Sequence, residues 1–179
     1  FTSTPASPAY AGSTYLAAAS GGGSTQPVVL SSGSPSICSV SGSTVTFVQS
    51  GSCVIDADQA ADDAYAKATT AVQQVSVVAA PQTVTFTSRA PSHAVVGQHY
   101  VMTATHTGSA NPVMFAAATS AKCTVAGSTV TFKAAGTCTV AAGVAGTAAY
   151  APGVATQQIV VRKITEKPTL SAHSPKAGR

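Results

Sequence analysis

The sequence has 179 residues, enough by length for one domain or two small ones. It is 45% hydrophobic but only 6% aromatic and 8% charged, against about 25% charged in an ordinary soluble domain. So few charges exclude a helical bundle, whose wet faces carry Glu and Lys, and no run of ~18 apolar residues is present to form a membrane-spanning helix.

The net charge of +4 is unevenly placed. Residues 1–80 carry Lys67 against Asp56, Asp58, Asp62 and Asp63, a balance of −3. Residues 81–161 carry Arg89, Lys122 and Lys133 with no acid, +3. The tail from Arg162 holds five bases against Glu166, +4. No signal peptide is visible, and a start at Phe1 without Met points to a processed product or an excerpt.

Read in chain order, the sequence repeats itself. FTSTPASPAYAG opens the chain and FTSRAPSHAVVG recurs from Phe86, an offset of 85. At that offset Gly12 meets Gly97, Tyr15 meets Tyr100, Cys38 meets Cys123 and Cys53 meets Cys138. STVTF at 43–47 returns at 128–132, and Tyr65 returns as Tyr150. One residue is lost before the last strand, where Gln73-Gln74 meets Gln157-Gln158. The chain is therefore two copies of one module, 1–80 and 81–161, followed by a basic stretch, 162–179. The latter is expected to be a linker into a further domain, since TLSAHSPKAG loosely echoes the module opening, or else a disordered terminus.

Within each copy the apolar residues alternate. Tyr15, Ala17 and Ala19 stand on one face, as do Tyr100, Met102 and Ala104, the mark of a strand with one buried side. Further strands are expected at 26–31, 36–41, 43–48, 53–57 and 72–78, with counterparts in the second copy. Gly-Ser at 42–43 and 127–128 reads as a tight hairpin turn. Residues 58–68 are the least strand-like and are expected to form a loop or one helical turn. Short strands with turn signals every ~8–12 residues suggest an all-β sandwich.

The run F-T-S…A-x-x-G, then a Tyr-led strand, then C-S/T-V-x-G-S-T-V-T-F-x-x-x-G-S/T-C, resembles the bacterial Ig-like repeats of secreted and surface proteins. Such repeats are common in actinobacteria and occur in virion proteins of their phages. The resemblance covers residues 1–161. It implies two tandem immunoglobulin-like β-sandwiches and no reaction, and it leaves the partner open.

Cys38 and Cys53 are separated by 15, as are Cys123 and Cys138. Four cysteines allow three pairings, and the repeated spacing favours one bridge within each copy. Each bridge adds about 2–3 kcal/mol to a small, Ala-rich domain and points to an oxidising, extracellular setting. A zinc site fails on spacing, with no CxxC and no His near either pair.

The other polar groups argue for little chemistry. His99 and His106 are seven apart, so on one continuous strand they face opposite ways; with His93 and His173 they read as surface histidines. Asp56, Asp58, Asp62 and Asp63 are the one weak metal candidate, as oxygen ligands for Ca²⁺, but the second copy has Ala141, Gly143, Thr147 and Ala148 in their places. A Lys–Asn isopeptide bond is not favoured, because the first copy has no Asn and the second has no assisting acid. There is no G-x-S-x-G elbow and no carboxylate in the second copy before Glu166, so enzyme activity is not expected and no cofactor is implied. The bases are scattered without interleaved aromatics, which argues against nucleic acid. With no Trp, Tyr10 is the weak candidate for a glycan platform, since Val95 replaces it in the second copy.

These readings converge on a non-enzymatic extracellular module. The first expectation is a spacer or stalk segment within a longer surface or secreted protein, its copies joined by the Pro-stiffened Ala79-Ala80-Pro81 into a fairly rigid rod. The alternatives are an adhesion module for cell-wall or host glycan, and a structural or decorating component of a virion or filament meeting copies of itself through edge strands.

Overall fold

The computed structural model describes residues 1–165, so His173 and the tail from Glu166 lie outside the described residues. The first copy forms seven strands: β1 (Ala9–Tyr10), β2 (Thr14–Leu16), β3 (Val28–Ser32), β4 (Cys38–Ser41), β5 (Thr44–Phe47), β6 (Gly51–Gln59) and β7 (Ala71–Val78). The second forms β8 (Val84–Phe86), β9 (Ala94–Val95), β10 (His99–Val101), β11 (Ala104–His106), β12 (Val113–Ala117), β13 (Cys123–Ala126), β14 (Thr129–Phe132), β15 (Gly136–Val144) and β16 (Gly153–Arg162).

Each copy is a two-layer sandwich of four strands over three. In the first copy the order is β1-β7-β6-β3 in one layer and β2-β5-β4 in the other. β1 runs parallel to β7, with Ala9 opposite Val77, and every other pair is antiparallel. The second copy repeats both layers as β9-β16-β15-β12 and β10-β14-β13, and adds the pair β8-β11. This is the immunoglobulin-like arrangement.

Alternation explains why these segments are strands. In β5 Val45 and Phe47 point inward while Thr44 and Thr46 point out. In β6 Cys53, Ile55, Ala57 and Gln59 are buried and their neighbours are not. β4 and β5 are joined by Gly42-Ser43, where Gly42 takes a φ of +58° and Ser43 does not go positive. A positive φ at the first central residue alone defines the II′ hairpin, whose twist matches that of the strands.

Two expectations need correction. The 58–68 stretch is not all loop: β6 continues through Asp58 to Gln59, because the in–out alternation persists and Gln59 satisfies its amide inside. No helical turn forms in 60–70. The strand expected at 100–104 is interrupted at Met102-Thr103, where β10 pairs with β14 and β11 with β8, and its counterpart expected through Tyr15, Ala17 and Ala19 stops at Leu16.

The cores match position by position while trading volume. Ala17, Ile55 and Val75 of the first core are replaced by Met102, Val140 and Ile159 in the second, all buried. Close packing requires such compensation, because an unfilled methyl group costs on the order of 1 kcal/mol.

The chain's compact units follow contacts rather than the repeat. One holds Phe1–Thr87 with Ala104–Met114 and Ala142–Ala155; the other holds Ser88–Thr103, Phe115–Ala141 and the residues from Thr156. Within the first unit the Ser50 N–H and hydroxyl both donate to Ala148 O at 2.8 Å, and Ala149 packs on the core.

Candidate functional site

The two disulfides are Cys38–Cys53 and Cys123–Cys138, with Cα separations of 5.6 and 5.8 Å, in the range an unforced bridge needs. Cys38 lies on β4 of the three-stranded layer and Cys53 on β6 of the four-stranded layer, so each bridge ties layer to layer. All four cysteines are fully buried.

A second tie recurs in each copy and was not read from the sequence. The hydroxyls of Ser3 and Tyr15 hydrogen-bond each other, and Tyr15 Oη donates to Gln73 Oε1 at 3.1 Å. Gln73 Nε2 returns to Ser3 O at 3.0 Å, while Ser3 Oγ accepts the Ala18 N–H at 2.7 Å. In the second copy Tyr100 Oη lies 2.6 Å from Ser88 Oγ and 3.1 Å from Gln157 Oε1, and Gln157 Nε2 donates to Ser88 O at 3.0 Å. The signal was available: Ser, Tyr and Gln all recur in the repeat alignment. Tyr15 and Tyr100 carry this polar bridge between β2 and β7, or β10 and β16.

The four aspartates do different work. Asp62 organises its loop, its Oδ1 accepting the N–H groups of Ala64 and Tyr65 at 3.0 and 2.8 Å and its Oδ2 the Thr25 N–H at 2.7 Å. These backbone donors, Thr25 first, lower its pKa to about 2. Thr147 is the equivalent residue, and its hydroxyl accepts the N–H groups of Ala149 and Tyr150. Asp and Thr are thus interchangeable turn caps here. Asp58 accepts Thr70 Oγ1–H at 2.6 Å and pairs with Lys67 at 3.3 Å; Thr70 and then Lys67 hold its pKa below the usual value. Asp56 faces outward over Gly33, and Asp63 is exposed. Among the described residues no three His, Cys, Asp or Glu side chains converge.

The remaining candidates stand apart. Tyr10 is 39% exposed and paired with the equally exposed Val78. His99 Nδ1 meets Thr131 Oγ1 at 2.9 Å, and His106 Nδ1 lies 3.4 Å from Thr107 O. Their separation comes from the break between β10 and β11, not from opposite faces of one strand.

Two open grooves lie on the first copy. One, of about 500 Å³, is lined by residues that include Ala17–Ala19, Val28–Leu30 and Gly42. The other, of about 580 Å³, is lined by residues that include Gln26, Pro27, Val29, Asp58 and Lys67. Every buried side-chain polar atom among the described residues has a hydrogen-bond partner, so no buried polar group is left over for a ligand.

No family model matches the chain, and no curated protein matches it. Solved structures similar to it include domains 1–6 of the surface layer protein SbsC, at TM-score 0.37 and 14% identity, covering 78% of this chain and 20% of that one. Another is a C-terminal fragment of intimin solved with the intimin-binding domain of its translocated receptor, at TM-score 0.34 and 16% identity, covering 74% and 51%. Domains 4 and 5 of SbsC give TM-score 0.34 and 15% identity over 75% of each chain. The chain therefore spans about a fifth of the first of these proteins and half of the second.

Proposed function

We propose that this chain is a spacer or stalk segment that works outside the cytoplasm and performs no reaction. One observation carries the reading. The devices that recur in both copies are structural: the layer-to-layer disulfide, the Ser–Tyr–Gln bridge and the capped turn below Tyr65 or Tyr150. The polar groups that differ between copies are solvated or satisfied locally. Two buried disulfides support an oxidising compartment, where such bonds persist.

Small-angle scattering tests the spacer. A monomer whose radius of gyration clearly exceeds the ~16 Å of a compact globule of this length supports it. A value near that figure, or stable self-association at micromolar concentration, sinks it; self-association would move the role to a virion or filament.

Recognition is the second reading, favoured by the groove at Gln26, Val29, Asp58 and Lys67. Its charged pair is replaced by Gly143 and Pro152 in the second copy. Saturable, salt-tolerant binding of the oxidised chain to purified cell-wall glycan, weakened by Asp58→Gly, would establish it. Binding that disappears with salt would reduce it to charge attraction.

A further inference from the structure

One contact within the first compact unit joins two surfaces that each occur twice in the chain. The receiving surface carries Ile37, Val48 and Ser50, and the turn 147–150 is seated on it. The Ser50 N–H and hydroxyl donate to Ala148 O at 2.8 Å, and Ala149 and Ile37 both pack on the first core. None of these side chains is charged.

The other version of each surface keeps the backbone arrangement and gains charge. The turn 62–65 closes with the Asp62 N–H on Tyr65 O at 2.9 Å, as 147–150 closes with the Thr147 N–H on Tyr150 O at 2.8 Å. Each turn lays its Tyr ring against a glycine, Tyr65 on Gly23 and Tyr150 on Gly108. Asp63 stands where Ala148 does and is exposed, whereas the Asp62 carboxylate is bonded within its own loop. On the receiving side the Val48 and Gln49 N–H groups share Ile37 O, and the Lys133 and Ala134 N–H groups share Lys122 O in the same way. Ile37 lies over Gly51, and the stem of Lys122 lies over Gly136. Lys122, Lys133 and Ala135 thus take the places of Ile37, Val48 and Ser50. Lys133 is exposed, Lys122 Nζ donates to Ala135 O at 3.0 Å, and residues 81–161 contain no acid to neutralise either lysine.

We propose that the turn 62–65 of one chain seats on the Lys122 and Lys133 surface of a second copy of this chain, in the way that 147–150 seats on Ser50, with Asp63 set against the two lysines. Charge complementarity selects this occupant. The turn and receiver that meet within the chain are neutral, while the remaining turn is acidic and the remaining receiver basic. Turn attracts receiver, whereas two turns or two receivers repel, so the contact is heterologous. A single turn covers a small area and exposed ion pairs add little. The contact therefore forms where chains are crowded and releases at micromolar concentration, which adds to the spacer reading without contradicting it.

Sedimentation equilibrium of the 179-residue chain from about 10 μM to about 1 mM tests this. The weight-average mass is expected to rise with concentration at low salt and to return toward that of the monomer in about 0.5 M salt. Asp63→Lys and Lys133→Asp are each expected to weaken association about tenfold, because each sets like charges together. Mixed in equal amounts, the two variants are expected to recover it, since each meets an opposite charge on the other. Asp63→Ala copies Ala148 and so keeps the turn; it is expected to weaken association about threefold. Asp56→Lys makes the same change in net charge outside the contact and is expected to alter association less than about twofold. No association at the highest concentration, no weakening by Asp63→Ala, a mixture no better than its components, or an Asp56→Lys loss equal to that of Asp63→Lys overturns the proposal.

Discussion

Tyr15 on β2 donates its hydroxyl hydrogen to Gln73 on β7, 58 residues away and in the opposite layer. The bond is part-buried, so its loss leaves the Gln73 oxygen short of a donor. Tyr15→Phe is expected to cost about 1–2 kcal/mol, and Tyr100→Phe the same in the second copy. The two should add in the double variant, because each acts within its own sandwich. Urea unfolding checks this. A cost below about 0.3 kcal/mol would show that the hydroxyls add nothing beyond ring burial.

The disulfides should dominate stability. Each closes a loop with a sequence separation of 15, worth about 3 kcal/mol by restriction of the unfolded chain. The pair Cys38→Ala and Cys53→Ala is expected to lower the melting temperature by an amount that reflects this loss, and the pair Cys123→Ala and Cys138→Ala by a similar amount. Because all four cysteines are fully buried, thiol trapping of the native protein in dilute dithiothreitol should be far slower than in denaturant. Equal rates would contradict that burial.

Acid should act on the first copy. Asp62 titrates at about 2 when folded, against 3.8 for a free side chain. A folded pKa below the unfolded one gives stability that is present above pH ~4 and lost as the pH falls toward 2. Asp58 is shifted in the same direction. The second copy has Thr147 and Gly143 at these positions. Melting between pH 5 and pH 2 should therefore destabilise the first copy more, and Asp62→Thr should flatten the dependence while keeping the turn. An unchanged slope in that variant would remove Asp62 from the account.

Two glycines separate backbone cost from crowding. Gly42 has a φ of +58° and nothing near a Cβ, so Gly42→Ala should cost about 1 kcal/mol. Gly108 has a φ of +95°, and its Cβ would lie 2.8 Å from the Tyr150 ring and 2.9 Å from Gln82. Gly108→Ala should cost roughly 2–4 kcal/mol, since overpacking adds to the backbone term. Equal losses would mean that Tyr150 moves aside freely.

Much of this was legible in the sequence because it is local or repeated. The duplication appears by alignment, the hairpins by Gly-Ser between alternating runs, and the disulfide pairing by a spacing used twice. Each depends on neighbours in the chain, whose geometry short-range sterics dictate. The end of β6 was misread for the same reason: Asp58 looks like loop, but Gln59 buries its amide on backbone 33 to 37 residues earlier.

What only the tertiary structure decided is which distant groups meet. Ser3, Tyr15 and Gln73 converge because the two layers stack face to face, and no spacing rule encodes that distance. The four aspartates look like one cluster in sequence, yet Asp58 bonds Thr70 and Lys67 from the end of β6 while Asp62 caps a turn beyond it. The burial of the Gln59 amide against Gly22, Ser24 and Gln26 is visible only in the folded chain, because it rests on hydrogen bonds between segments that the sequence keeps far apart.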